Sequence, residues 1–287
     1  MQARIIRIIS KNYTVQLENG EKVDAILMGK VRLQTSPVAG DVVELKFTNN
    51  QYTIEKICPR TNHLVRPPVA NVDQALIVMS VKDPDFSTTL IDRLSFLIMH
   101  ANIKPVLVVT KTDLGIIPEV QKAIEDYQRG PMEVLLNTKE FLDPSLAKIL
   151  ENKISVLTGQ SGAGKSTLLN SLDPSFHLET QEISKALGRG KHTTRHNELH
   201  EVANGLVADT PGFSSIDFAD IDEDELDECV IDFVPFLHQC KFNDCKHHKE
   251  PGCKIKEEVE KGNIPEIRYK NYLAVLEMIQ QRKEKYV

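Results

Sequence analysis

Hydrophobic and polar positions change rhythm along the chain. Over residues 1–58, short runs rich in β-branched residues, "ARIIRII" (3–9), "YTVQL" (13–17), "VDAILM" (23–28), "DVVELKF" (41–47) and "YTIEKI" (52–57), are separated by turn-forming "ENGEK" and "SPVAGD". Short strands without a long helix predict a small barrel, with the OB-fold as the natural candidate. The proline-marked "RPPVANVD" (66–73) then reads as a boundary. Beyond it, continuous apolar runs, "QALIVMSV" (74–81), "KPVLVVT" (104–110), "MEVLLN" (132–137), "KISVLTG" (153–159) and "GLVADT" (205–210), predict strands. Helical stretches are predicted over 86–102, near 117–129 and near 144–151. Buried strands alternating with helices mean a parallel sheet with crossover helices.

From about residue 219 the pattern changes again. "DIDEDELDECVIDF" (220–233) is acidic and reads as a helix. "CKFNDCKHHKEPGC" (240–253) has no sheet pattern. In 265–286, Tyr269, Tyr272, Leu273, Leu276 and Ile279 fall at helical spacing, a stripe expected to pack on its own domain. The expected organisation is an OB-fold at 1–65, an α/β nucleotide-binding domain at 66–218 and a mainly helical metal-binding domain at 219–287.

Charge sharpens this division. Of 287 residues, 41% are hydrophobic and 26% charged, with a net charge of −6. Residues 1–68 hold ten Lys and Arg against six Asp and Glu, and the remainder 25 against 35. A basic first module on an acidic protein points to a polyanion partner at that end. Arg4, Arg7, Lys30, Arg32 and Lys46 are its candidate contacts. The start, "MQARIIRIIS", lacks the apolar core of a signal peptide, and no stretch reaches the ~18 apolar residues of a membrane span. A cytoplasmic monomer with no membrane partner is expected.

The most specific chemical signal is "GQSGAGKS" (159–166), a G-x-x-x-x-G-K-S loop between an apolar strand and an apolar helix. In such a loop Gly159, Gln160, Ser161, Gly162, Ala163 and Gly164 direct backbone N–H groups at phosphates. Lys165 reaches the β- and γ-phosphates, Ser166 ligates Mg²⁺ and Thr167 follows at the helix start. "ADTPG" (208–212) ends a buried strand, placing Asp209 for Mg²⁺ and Gly212 for the γ-phosphate. "TKTD" (110–113) ends another strand, at the edge where ligands bind in such sheets. Asp113 can accept from guanine N1–H and N2–H₂, a donor pair adenine lacks, which favours GTP over ATP. Lys111 can lie across the base, and Thr112 completes the motif. Thr110 stands where the usual motif begins with Asn. A helix N-cap is the alternative reading of Asp113.

The guanine-type motif comes before the phosphate loop, the reverse of the usual order. A parallel α/β domain can be cut at one surface loop and joined at its old ends without losing contacts, so circular permutation accounts for the order. Between loop and "DTPG" lies the basic, glycine-bearing "SKALGRGKHTTRH" (184–196), suited to a switch ordered by γ-phosphate and Mg²⁺. Thr194 is the candidate to close over the metal. Phe213 follows Gly212 and cannot orient water as the Gln of Ras-type enzymes does. His192 is the candidate in its place. Slow turnover, accelerated when a partner orders the loop, is expected.

Cys240, Cys245, His247 and Cys253 give C-x₄-C-x-H-x₅-C, the donors of a closed structural zinc site, with His248 a rival histidine. Cys58 and Cys229 stand apart. Taken together, the basic OB-like start, "TKTD" before "GQSGAGKST", "GRGKHTT", "DTPGF" and the cysteine–histidine spacing resemble the RsgA/YjeQ family over essentially the whole chain. Members are circularly permuted GTPases of the bacterial small (30S) ribosomal subunit. The resemblance implies binding to that subunit and its rRNA late in maturation, GTP hydrolysis stimulated there, and release. It implies a catalytic role for His192 and zinc ligation by Cys240, Cys245, His247 and Cys253. One departure is "NTKEF" after "MEVLLN", in place of the Ser-Ala type that usually backs the guanine, so Asn137 and Thr138 are open as base contacts. A P-loop ATPase or kinase and a nucleotide-gated RNA-binding protein with negligible hydrolysis are the rival readings.

Overall fold

A computed structural model describes residues 1–28, 36–65, 68–173, 197–211 and 218–284. Among them the elements in chain order are β1 (Gln2–Ile9), β2 (Asn12–Leu17), β3 (Lys22–Leu27), β4 (Val42–Thr48), β5 (Gln51–Ile57), β6 (His63–Val65), β7 (Pro68–Ala70) and β8 (Gln74–Ser80). Then follow α1 (Thr88–His100), β9 (Lys104–Thr110), α2 (Pro118–Arg129), β10 (Glu133–Leu136), α3 (Pro144–Leu150), β11 (Ile154–Thr158) and α4 (Lys165–Leu172). The last are β12 (Asn197–Val202), β13 (Gly205–Pro211), α5 (Lys254–Glu260) and α6 (Glu266–Glu284). The chain packs as two compact units.

The first unit comprises Met1–Gln74, Leu146–Leu157 and Leu169–Gly212. Strands β1 to β5 close into a barrel in the order β1-β2-β3-β5-β4, with β4 returning to β1. Only β3–β5 is parallel. Alternate side chains Ala3, Ile5, Tyr13, Val15, Ala25, Val43, Leu45 and Ile54 fill the interior, as the period-2 pattern requires. The β4–β5 hairpin turns on Asn49 and Asn50, at φ 53° and 61°, the backbone twist that tight hairpins favour and Asn tolerates. Strand β12 pairs antiparallel with β1 and with β13, and β13 runs parallel to β11.

The second unit comprises Ala75–Ser145, Thr158–Leu168 and Phe213–Val287. Strand β9 lies between β8 and β10, parallel to β10. All of β8 and six of seven positions of β9 are buried, the two-sided burial expected of a covered parallel sheet. Ser87 caps α1 by accepting from the Leu90 N–H, and Pro118 starts α2. The C-terminal region shares one apolar core with α1: Phe96 packs with Phe218, Ile221, Leu226, Val230, Phe233, Tyr272, Leu276 and Ile279. The aromatic–aliphatic stripe of α6 thus faces its own unit, as its spacing predicts.

Residues 220–233 depart from the expected helix. They form successive turns, with Glu225 N–H bonded to Asp222 O, Cys229 N–H to Leu226 O and Val230 N–H to Asp227 O. A helix would stack carboxylates at i, i+3 and i+4, where like charges repel. Turns let Ile221, Leu226, Cys229, Val230 and Phe233 all reach the core.

Beneath that core is a buried charge cluster. Arg268 and Asp92 are fully buried and Asp232 nearly so. Arg268 Nη1 donates to Asp92 Oδ1 at 2.6 Å, and Nε stands 2.7 Å from Asp232 Oδ2. Asn271 Nδ2 and the Tyr127 hydroxyl also donate to Asp92, at 2.6 and 3.1 Å. Burial pushes the Asp92 carboxyl above its ordinary range, with Arg268 opposing it.

Candidate functional site

The phosphate-type loop leaves β11 at Thr158 and enters α4 at Lys165. Gly159 holds φ 119°, and a Cβ there would stand 2.0 Å from the Val78 carbonyl oxygen, so only glycine lets the loop start so close to β8. Gly162 and Gly164 also lie at positive φ, 81° and 95°. Ser161 and Gly162 are exposed at the loop tip, whereas Ala163 is fully buried. Lys165 Nζ folds over the loop and donates to Gly159 O at 2.8 Å and Gln160 O at 2.6 Å. Burial draws the Lys165 ammonium below its ordinary value, so an anion beside it gains a charge that carbonyl dipoles hold among the described residues. Ser166 and Thr167 follow in the first turn of α4.

The guanine-type motif stands beside this loop. Thr110, at the end of β9 and buried, donates its hydroxyl to the Ala163 carbonyl at 2.6 Å, with Met79 O further off at 3.4 Å. The residue that replaces the usual Asn therefore ties the two motifs together directly. Lys111 sits in the left-handed region at φ 57° and its Nζ bonds Asp83 O. Thr112 and Asp113 form a single 3₁₀ turn. Asp113 is exposed and does not cap α2, whose N-cap is Ile117; the N-cap alternative does not hold. Its Oδ1 accepts from the Lys139 N–H at 3.3 Å.

Lys139 belongs to the "NTKEF" loop. Asn137, only 1% exposed, splints that loop to its neighbours. Its N–H donates to Val109 O, its carbonyl accepts from Thr112 N–H and hydroxyl, and Oδ1 accepts from Asp143 N–H at 2.9 Å. Thr138 Oγ1 accepts from the N–H groups of Glu140 and Phe141. Both side chains are engaged in shaping the loop, and a backbone N–H faces Asp113. No residue type signals a backbone donor, so sequence reading passes over Lys139.

The Cys–His cluster is assembled. One donor atom from each of Cys240, Cys245, His247 and Cys253 lies within 4.8 Å of the others. Cys240 Sγ is 3.9 Å from Cys253 Sγ, and His247 Nδ1 is 3.5 and 3.4 Å from these sulfurs. A tetrahedral ion with Zn–S of about 2.3 Å spans S···S edges of about 3.8 Å, so the donor set fits zinc. His248 is exposed and outside the cluster. All five cysteines are free, including Cys58 and Cys229.

Other expected residues are less informative. Asp209 lies on β13, its side chain outside the described residues, as are Gly212, Phe213, His192 and Thr194 in full. Of the basic candidates, Lys30 and Arg32 also fall outside. Arg4 is half-buried on the outer face of the barrel, donating to Gly40 O at 3.1 Å, with burial lowering its pKa. Arg7 and Lys46 reach Glu198 and Glu55 at 3.7 and 3.6 Å. Such exposed pairs are weak and exchangeable. Among the described residues no helix is long and apolar enough to cross a membrane.

A family model described as RsgA GTPase matches residues 57–219. The chain is 45% identical over 295 residues to the small ribosomal subunit biogenesis GTPase RsgA 2 of Oceanobacillus iheyensis, covering 99% of each. It is 45% identical over 289 residues to the small ribosomal subunit biogenesis GTPase RsgA of Shouchella clausii, covering 98% of each. Among solved structures it resembles YloQ, described as a circularly permuted GTPase, with a TM-score of 0.83 and 35% identity over 98% of this chain and 95% of that one. It also resembles YjeQ from Thermotoga maritima, with a TM-score of 0.82 and 33% identity over 97% and 98%. With a family model over more than half its length and relatives 45% identical from end to end, this chain belongs to the RsgA GTPase family.

Proposed function

We propose that this protein hydrolyses GTP on the small (30S) ribosomal subunit during its late maturation, with the subunit stimulating hydrolysis and hydrolysis prompting release. The observation that carries this is the bond from Thr110 to Ala163, which joins a guanine-reading strand end to a phosphate loop in a full-length match to subunit-biogenesis GTPases. Asp113 reads the guanine edge beside the Lys139 N–H. The backbone of 159–164 and Lys165 hold the phosphates. Ser166, Thr194 and Asp209 are the residues to hold Mg²⁺, which supplies charge neutralisation between the β- and γ-phosphates. His192 orients the attacking water, and Gly212 follows the γ-phosphate.

The working division is an rRNA-binding barrel at 1–65, the permuted GTPase domain at 66–218 and a zinc-bearing helical module at 219–287. Arg7, Lys30, Arg32 and Lys46 are the barrel's phosphate contacts, Arg4 being engaged by its bond to Gly40 O. A structural zinc on Cys240, Cys245, His247 and Cys253 fixes the loop of the third module. The protein acts as a cytoplasmic monomer. The test is co-sedimentation of the full chain with purified small subunits in GDP and in a non-hydrolysable GTP analogue. Retention in the analogue and loss in GDP is expected; equal retention in both refutes nucleotide-controlled release.

A further inference from the structure

The acidic turns at 222–230 place one carboxylate against the cysteine–histidine cluster. We infer that Asp227 is a positioning residue of the metal centre, holding the His247 ring so that Nδ1 is presented to the ion; this rests on reading the cluster as a zinc site. His247 Nδ1 faces the sulfurs of Cys240 and Cys253 at 3.5 and 3.4 Å. The opposite ring nitrogen, Nε2, stands 3.1 Å from Asp227 Oδ2. A carboxylate accepts, so the proton of a neutral ring rests on Nε2 and the lone pair on Nδ1, the form a metal needs.

The second oxygen of Asp227 anchors the arrangement. Oδ1 accepts from the Glu228 N–H at 2.9 Å, so the same carboxylate binds its own turn and the ligand ring. Other contacts fix the histidine's backbone and ring faces. The Tyr269 hydroxyl donates to His247 O at 2.7 Å, and the Tyr272 hydroxyl to Lys246 O at 2.9 Å. Phe233 packs its ring edge-on at 5.9 Å. His247 itself is 3% exposed, so little water reaches the ring to replace Asp227 as acceptor. The departure of 220–233 from a helix therefore has a purpose beyond packing: the turn delivers a carboxylate to the imidazole.

The test uses the full chain. Purified protein is assayed for bound zinc, then for release of that zinc to a chromogenic chelator, as wild type and as Asp227→Ala, Asp227→Asn and Asp224→Ala. Asp224 lies on the same segment and pairs with Lys246 instead. Absence of zinc from the wild type would overturn the zinc reading itself. Given zinc, Asp227→Ala is expected to release it about 10–100-fold faster, the usual effect of losing a partner of a ligating histidine. Asp227→Asn, which keeps an acceptor oxygen, should fall between, and Asp224→Ala should match wild type. Release from Asp227→Ala at the wild-type rate, or equal acceleration by Asp224→Ala, would overturn the role of Asp227. A nitrogen-edited proton spectrum of the zinc-loaded wild type needs no variant. A His247 Nε2–H slow to exchange with water supports the assignment, and one that exchanges as freely as an exposed imidazole contradicts it.

Discussion

Replacing Thr110 by Val removes one hydroxyl and keeps the branched shape. The Thr110 hydroxyl is the donor to the Ala163 carbonyl at 2.6 Å, and Thr110 and Ala163 are 6% and 0% exposed. The variant leaves a buried carbonyl without its partner, which costs about 1–3 kcal/mol. The fold bears that cost if the loop stays in place; the nucleotide bears it if the loop shifts to recover a partner. Ser161 and Gly162, beside Ala163, are exposed with little packed on them, whereas β8 is buried throughout. The loop is therefore expected to shift. At about 1.4 kcal/mol per tenfold, the Kd for GDP should rise roughly 5–150-fold, and for GTP equally, because the bond touches neither γ-phosphate nor base. Titration with a fluorescent guanine nucleotide measures this, with a thermal melt alongside. A Kd within twofold of wild type, with the whole effect in the melting temperature, would refute the view that Thr110 sets the loop for phosphate.

Asp113→Asn should lower GTP affinity at least tenfold and raise affinity for xanthosine triphosphate, whose carbonyl at C2 meets the new amide donor; competition binding reads both. Gly159→Ala should abolish nucleotide binding, since its Cβ would stand 2.0 Å from Val78 O at a φ of 119°; unchanged binding would show that the loop starts elsewhere. Arg268→Met strands Asp92 and Asp232 in the core and should destabilise the protein by about 3–5 kcal/mol in urea. A buried carboxyl whose folded pKa is raised contributes stability below its unfolded pKa and loses it as pH rises through the folded value. Asp92 is already raised by burial, so this variant should recover stability as the pH is lowered from 8 towards 5; a deficit independent of pH would contradict the assignment.

What the sequence reveals follows from the range of each interaction. The barrel strands read directly because their inward positions alternate within a few residues, as Val43 and Leu45 do on β4. The phosphate loop reads directly because its glycines, lysine and serine are contiguous. Strand β12 goes unread because "NELHEV" is mostly polar, with Leu199 and Val202 its buried positions; pairing to β1 on one side and β13 on the other makes it a strand. The acidic helix fails for a related reason. Its apolar residues suit more than one backbone, and the core decides between them. Partners distant in the chain stay invisible: Thr110 and Ala163 are 53 residues apart, and Arg268 and Asp92 are 176 apart. Sequence places Thr110 at the motif's first position, and only the fold shows what its hydroxyl holds.

The measurement that bears most directly on function is steady-state GTP turnover by the full chain, alone, with small ribosomal subunits and with large subunits. Slow turnover alone, strong acceleration by small subunits, and none by large subunits is expected, with His192→Ala abolishing the acceleration while nucleotide binding stays intact. Turnover indifferent to small subunits, with GTP still bound tightly, would contradict subunit-stimulated hydrolysis and favour a nucleotide-gated binder.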